Sequence, residues 1–167
     1  LGQGFPDDGE PPALIEAAAD ALRAGHNQYA PLPGVPELRE AIAVHQRNHY
    51  GIELDPATQV QVTFGATEAL AAALLALVRP GDEVVMLDPS YDAYGALVAL
   101  AGATAAPLAL APPDWRVEST EVIGPRTRLL LLNSPHNPTG HVLDEAELER
   151  LAAACREHDV SVVTDQV

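Results

Sequence analysis

Asn133-Ser134-Pro135-His136-Asn137-Pro138-Thr139-Gly140 follows, without a break, the four leucines at positions 129–132. Four apolar side chains in a row are all buried only when both faces of a strand are covered, the pattern of an inner strand of a parallel sheet between helix layers. The octet is polar, holds two prolines and shows no helix signal before Asp144, so it reads as the loop at the carboxyl end of that strand. Ligands of open α/β sheets sit at that edge. The two X-Pro steps disfavour helical backbone at Ser134 and Asn137 and stiffen the loop, which suits Asn137 to binding. Asn, Pro, Thr and Gly are equally the residues of a plain strand-to-helix turn. The octet by itself leaves both readings open.

Outward from the octet, strand and helix signals alternate. On the amino-terminal side, residues 60–64 form a β-branched run expected to be a strand, leading through Gly65-Ala66-Thr67-Glu68 into an alanine- and leucine-rich helix to about Val78. Arg79-Pro80-Gly81-Asp82 stops that helix. Residues 84–87 read as the next strand, with Asp88-Pro89-Ser90-Tyr91 as its exit loop, and residues 92–101 as a helix. A strand is expected at 104–108. The proline-rich, charged stretch 111–128 reads as a surface connection with at most a helical turn. Beyond the octet, Asp144 and Glu147 have the spacing of a capping box, and Leu148, Leu151, Ala152 and Cys155 make the apolar stripe of a helix to about His158. Residues 160–164 form a last strand, with Asp165 at its carboxyl end. Nearer the start, residues 1–12 are glycine- and proline-rich and irregular, while helices are expected at 12–24 and from Pro36 to Gly51, separated by a loop holding Tyr29.

This alternation indicates an α/β fold, a three-layer sandwich around a mostly parallel, doubly wound sheet. Residues 1–25 form an amino-terminal segment with the first helix, and residues 26–167 the sheet-bearing domain. Thr67, Tyr91, Asn137 and Asp165 all follow strands, so a parallel sheet gathers them at one edge.

Composition sets the bounds. The 167 residues, 47% hydrophobic and 20% charged, suit a globular chain with a sizeable core. A net charge of −15 argues against nucleic acid or an anionic membrane surface as partner. All nine basic residues are arginine; there is no lysine. The one cysteine, Cys155, lies among alanines and reads as a buried small apolar group. With no leader pattern and no bilayer-length apolar run, the expected location is cytoplasmic. The chain starts without methionine and stops just after a strand, so it reads as a piece of a longer protein.

Free backbone N–H groups and a hydroxyl at Gly65-Ala66-Thr67 suit a phosphate at a helix N-terminus, although small residues also open helices for packing alone. Asp165 is either a helix cap or a carboxylate held against a cation. A ligand with a phosphate, a flat ring and a protonatable nitrogen engages Thr67, Tyr91, Asn137 and Asp165 together, and pyridoxal phosphate is such a ligand.

The octet, the run Val62-Thr63-Phe64-Gly65-Ala66-Thr67-Glu68-Ala69-Leu70, the segment Asp88-Pro89-Ser90-Tyr91-Asp92-Ala93-Tyr94 and Val163-Thr164-Asp165-Gln166-Val167 together resemble class I/II aminotransferases of fold type I. The opening Leu1-Gly2-Gln3-Gly4-Phe5-Pro6-Asp7 and Asn27-Gln28-Tyr29 are similar to the methionine and kynurenine aminotransferase branch. The resemblance implies that the chain is the amino-terminal part of such an enzyme, including part of its large domain. It further implies that Ala66 and Thr67 bind the cofactor phosphate, Tyr91 stacks on the ring, Asn137 donates to the ring oxygen and Asp165 pairs with the ring nitrogen. Gly4 would lie beside the substrate carboxylate, and Tyr29 would reach the phosphate in the neighbouring subunit of a homodimer. His136 reads as a loop-packing residue. The family's Schiff-base lysine, and an arginine that grips the substrate carboxylate, fall beyond Val167. The implied activity of the complete protein is amino-group transfer between an amino acid and a 2-oxo acid, this chain alone being inactive. A carbon–sulfur β-lyase would use the same site, and a regulatory domain borrowing the fold is the alternative of another class.

Overall fold

The computed structural model describes residue 9 and residues 11–166. The chain divides into two compact units, one ending at Val62 and one beginning at Thr63.

The first unit carries two helices. Prolines fit the first turn of a helix because the missing N–H has no intrahelical partner there, and Pro12 and Pro36 open α1 (Pro12–Arg23) and α2 (Pro36–Tyr50). Gly51, in the left-handed conformation at φ 67°, closes α2. None of the α1 residues is buried, and its apolar residues Leu14, Ile15 and Leu22 are more than half exposed. The strand expected at residues 60–64 is absent. Residues 60–62 are held by single bonds instead: Arg39 Nε donates to the Val60 carbonyl at 3.0 Å and the Val62 N–H to the Pro33 carbonyl at 3.0 Å. A β-branched run extends readily, but a strand needs a ladder partner, and no described strand pairs with this one.

The second unit is the sandwich. Helices α3 (Gly65–Leu77), α4 (Asp92–Leu100) and α5 (Glu145–Glu157) accompany strands β1 (Glu83–Asp88), β2 (Thr104–Ala111), β3 (Arg116–Val117), β4 (Thr127–Asn133) and β5 (Ser161–Asp165). The sheet order is β3-β2-β1-β4-β5, parallel throughout except for the β2–β3 pair. From β1 the chain runs outward to β2 and β3, then returns to the other side of β1 for β4 and β5. The switch point therefore lies between β1 and β4, where an open α/β sheet leaves a crevice beyond the strand ends.

Alternation along the inner strands builds two cores. Val84, Met86, Leu129 and Leu131 pack with Leu70, Leu74, Tyr94 and Val98 of α3 and α4, while Val85, Leu87, Leu130 and Leu132 pack with Leu151 and Cys155 of α5. Leu129, Leu130 and Leu131 are at most 1% exposed, so each contributes on the order of 2 kcal/mol of burial. Among the described residues β5 pairs with β4 alone, and Val162 is 46% exposed on the side opposite the partly buried Val163.

Residues 111–128 hold no helical turn. They contain β3, whose Val117 and Arg116 pair antiparallel with Leu110 and Ala111. Its anchor is Glu147, 0% exposed, which accepts from the Val117 N–H at 2.8 Å and from the Asp144 N–H at 3.0 Å. Asp144 accepts in return from the Glu147 N–H at 2.9 Å, completing the capping box of α5. Among the described residues, no helix is long and apolar enough to cross a membrane.

Candidate functional site

The carboxyl ends of β1, β4 and β5 lie side by side because the strands are parallel neighbours. Each delivers one of the side chains singled out from the sequence. β1 leads into Tyr91, which precedes the first residue of α4 and is 39% exposed. β4 leads into the octet with Asn137, and β5 ends on Asp165.

Two residues given no role by the sequence reading join these three. Asn133, 1% exposed at the end of β4, donates from Nδ2 to the Asp165 carbonyl at 2.9 Å and accepts on Oδ1 from the Asn137 N–H at 2.7 Å. Tyr94, 3% exposed in the first turn of α4, donates from its hydroxyl to Asp165 Oδ2 at 2.6 Å. Its ring meets that of Tyr91 edge to face, centroids 5.5 Å apart at 79°. Tyr91, Tyr94, Asp165, Asn133 and Asn137 thus form one continuous chain of contacts. A polar residue ending an otherwise apolar strand was the available signal for Asn133. For Tyr94 it was the three-residue step from Tyr91 at a helix start, which puts both on one face.

The octet is folded around His136, which is 2% exposed. Its Nδ1 lies 2.7 Å from Thr139 Oγ1, and its backbone bonds to His141 and Gly140. Nε2 has no well-formed partner among the described residues, the Pro89 carbonyl being the acceptor beside it. Burial pushes this imidazole below its ordinary range, assisted by His141 and opposed by the Pro89 carbonyl, so it stays neutral at pH 7. A neutral, enclosed ring packs the loop. The Ser134–Pro135 and Asn137–Pro138 bonds are both cis.

Ala66 and Thr67, both exposed, occupy the first turn of α3. The N-cap residue Phe64 makes no side-chain capping bond, the Glu68 carboxylate accepts from the Phe64 N–H, and the first-turn N–H groups of any helix lack intrahelical partners. Gly65 precedes them at φ 76°, a conformation that glycine adopts without strain. No hydrogen bond or ring contact among the described residues joins Ala66 or Thr67 to the Tyr91–Asn137 chain. Tyr29 belongs to the other unit, where it is 99% exposed at φ 40°. Gly4 lies outside the described residues.

The donor set fits a phosphorylated pyridine. Tyr94 is the one described donor to the Asp165 carboxylate, leaving Oδ1 for a cationic nitrogen. The Asn137 side-chain amide makes no hydrogen bond among the described residues, and α3 offers uncapped N–H groups for an anion. No cluster of three or more His, Cys, Asp or Glu suited to a metal occurs among the described residues.

An open parallel α/β sheet with polar groups gathered at its switch point defines a ligand-binding α/β protein. The sequence places it more narrowly: residues 1–167 match aminotransferase class I and II throughout, and the chain belongs to that family. Members of the family depend on pyridoxal phosphate. All of the chain aligns at 49% identity with a probable N-succinyldiaminopimelate aminotransferase of Mycobacterium tuberculosis, and at 46% with the methionine aminotransferase of Escherichia coli. It covers 43% and 44% of those proteins respectively. The solved structure of the N-succinyldiaminopimelate aminotransferase from M. tuberculosis superposes with a TM-score of 0.93 at 47% identity, over 99% of this chain and 44% of that one. The chain thus spans less than half the length of the relatives it matches.

Proposed function

We propose that the complete protein transfers an amino group between an amino acid and a 2-oxo acid, with pyridoxal phosphate held at the β1–β4 switch point. The observation that carries this reading is the continuous chain from Tyr91 through Tyr94, Asp165 and Asn133 to Asn137. The N–H groups of Ala66 and Thr67 would bind the phosphate, Tyr91 would cover a ring face, Asn137 would donate to the ring oxygen and Asp165 would face the ring nitrogen. When bound, the cofactor supplies an electron sink for the substrate carbanion. Asp165 keeps the ring nitrogen protonated, and Asn133 holds the Asp165 backbone and the start of the Asn137 loop in register. Gly4 would lie against the substrate carboxylate.

Tyr29, almost wholly exposed, supports a homodimer in which it reaches the phosphate held by the second copy. Because this chain has no lysine, a lysine from the rest of the protein would supply the covalent anchor and the proton carrier. The test is to express the full-length protein, load it with pyridoxal phosphate and follow keto-acid formation from a panel of amino acids and 2-oxo acids. Turnover with methionine or N-succinyldiaminopimelate would name the donor, and a protein that neither binds the cofactor nor turns over any donor would refute the reading. In the full-length protein Tyr29→Phe should weaken cofactor retention without dissociating the dimer, and retention equal to the parent would remove Tyr29 from the site.

A further inference from the structure

We propose that Tyr94 is a positioning residue that orients the Asp165 carboxylate and braces the Tyr91 ring, so that one buried side chain aligns the groups facing the nitrogen and the face of the bound pyridine. The inference rests on the reading of the site as a pyridoxal-phosphate pocket, and adds to it a residue that does not touch the ligand.

Three observations converge on Tyr94. Its ring is a core element, packed with Leu70, Leu74, Val98 and Leu131 between α3, α4 and the sheet, so its place is fixed independently of any ligand. Its hydroxyl reaches 71 residues along the chain to Asp165 Oδ2 at 2.6 Å, within the range of an O–H donor to an ionised oxygen. Its ring meets the Tyr91 ring edge to face. A buried phenol needs an acceptor, and a backbone carbonyl would serve a purely structural tyrosine. Here the acceptor is the carboxylate at the strand end, and among the described residues it is approached on one oxygen only.

That one-sided approach has a chemical consequence. A carboxylate facing a ring nitrogen shares one proton with it, and the proton rests on the nitrogen only while the carboxylate is the better-stabilised anion. The Tyr94 hydroxyl stabilises the charged form of Asp165 and fixes which oxygen is left for the nitrogen. Burial, followed by the bond to Asp165, raises the phenol well above its ordinary range, so it remains a donor across the working pH. Removing the hydroxyl frees the carboxylate to rotate and takes away the donor to its charged form. The bound pyridine then loses part of its positive charge, while the ring contact to Tyr91 stays.

The experiment compares the full-length parent, Tyr94→Phe and Asp165→Asn, each loaded with pyridoxal phosphate carrying ¹⁵N in the ring. Three quantities are measured: the ¹⁵N resonance, the equilibrium affinity for the cofactor, and kcat and KM for a working donor. For Tyr94→Phe the resonance should move part of the way toward the Asp165→Asn value. Cofactor affinity should fall about tenfold, in line with losing one hydrogen bond to a charged group, and kcat should fall with KM little changed. A parent resonance matching free, unprotonated pyridine would overturn the reading of the site itself. A protonated parent, a shifted Asp165→Asn and a Tyr94→Phe indistinguishable from the parent would overturn only the role of Tyr94. Should Tyr94→Phe fail to fold, 3-fluorotyrosine installed at position 94 keeps the shape and strengthens the donor. Its ¹⁵N resonance should then show the ring nitrogen at least as protonated as in the parent and its cofactor affinity should rise; an unchanged affinity would overturn the proposal.

Discussion

Glu147→Gln tests how the α5 end of the sandwich is held. The side chain is 0% exposed, with Oε1 accepting from the Val117 N–H and Oε2 from the Asp144 N–H. His141 Nε2 lies 3.0 Å from Oε2 and must carry its proton there, since an ionised carboxylate has none to give. The Arg116 guanidinium stands 3.5 Å away. Glutamine keeps the shape but puts an NH₂ where one of these donors arrives, so a buried N–H of β3 or of the α5 cap loses its acceptor. A hydrogen bond to a charged group contributes about 1.5–3 kcal/mol and an unsatisfied buried donor costs a further 1–3, so about 3 kcal/mol is expected. The effect has a definite pH dependence. Burial alone would push this carboxyl up, but the Asp144 and Val117 N–H groups and the His141 ring outweigh it and hold it below its ordinary value of 4.5. A carboxyl depressed in the folded state binds fewer protons there than when unfolded. Its stabilisation is therefore complete above pH 4.5 and is lost as the pH falls from there through the folded-state value. Urea unfolding of parent and variant, followed by circular dichroism at neutral pH and stepwise into acid, measures both the gap and its closure. A gap below about 0.5 kcal/mol at neutral pH, the range of an ordinary surface substitution, would refute the reasoning, as would a gap that stays constant through the acid range.

Gly34→Ala should destabilise the first unit by about 2 kcal/mol, as a β-carbon at φ 98° would sit 2.6 Å from Val62 Cγ2 and 2.7 Å from Val62 Cβ, and Cβ, fixed to the backbone, cannot swing away; thermal melts check it, and an unchanged midpoint would contradict the packing. The 167-residue chain incubated with pyridoxal phosphate, amino acids and 2-oxo acids should produce no keto acid beyond a cofactor-only blank, because it holds no lysine; sustained production would show another group carrying the proton. In the full-length enzyme Asp165→Asn should lower kcat at least about a hundredfold, the scale of losing one preorganised electrostatic group. Asp159→Asn should leave kcat unchanged, since residue 159 sits at φ 54°, a conformation that asparagine tolerates. Steady-state kinetics on the two variants separates these outcomes, and an Asp165→Asn enzyme within tenfold of the parent would detach Asp165 from the ring nitrogen.

What was legible in the sequence follows the range of the forces involved. The leucines at 129–132 announced an inner parallel strand because two-sided burial is written into consecutive residues. Asp144 and Glu147 announced the start of α5 because a capping box is local. Residues 60–64 have no ladder partner among the described residues: β-branching shows only that a segment extends readily, whereas a strand is made by its neighbour. β3 was missed for the converse reason. Two residues are too short to show alternation, and the Glu147 carboxylate that holds Val117 lies 30 positions away. At the site, Tyr91, Asn137 and Asp165 could be placed at one edge from strand order alone. Tyr94 and Asn133 could not be given roles, because each acts through a partner distant in the chain: 71 residues for the Tyr94 bond and 32 for that of Asn133.

These long-range bonds place Asp165. Among the described residues β5 pairs with β4 alone. Its last residue is nevertheless tied three times. The Asp165 carbonyl accepts from Asn133 Nδ2 at 2.9 Å and from the Ser134 N–H at 3.3 Å, and its carboxylate accepts from Tyr94. Asn133 and Tyr94 are buried to within 3% and stand on elements whose leucine and valine packing owes nothing to the site. The position of Asp165 is thus set by β4 and α4, the rigid interior, and β5 only delivers the residue. Asn133 transmits the same register to the other side by holding the Asn137 N–H, so the groups proposed to face the ring nitrogen and the ring oxygen are fixed to one another through a single buried amide.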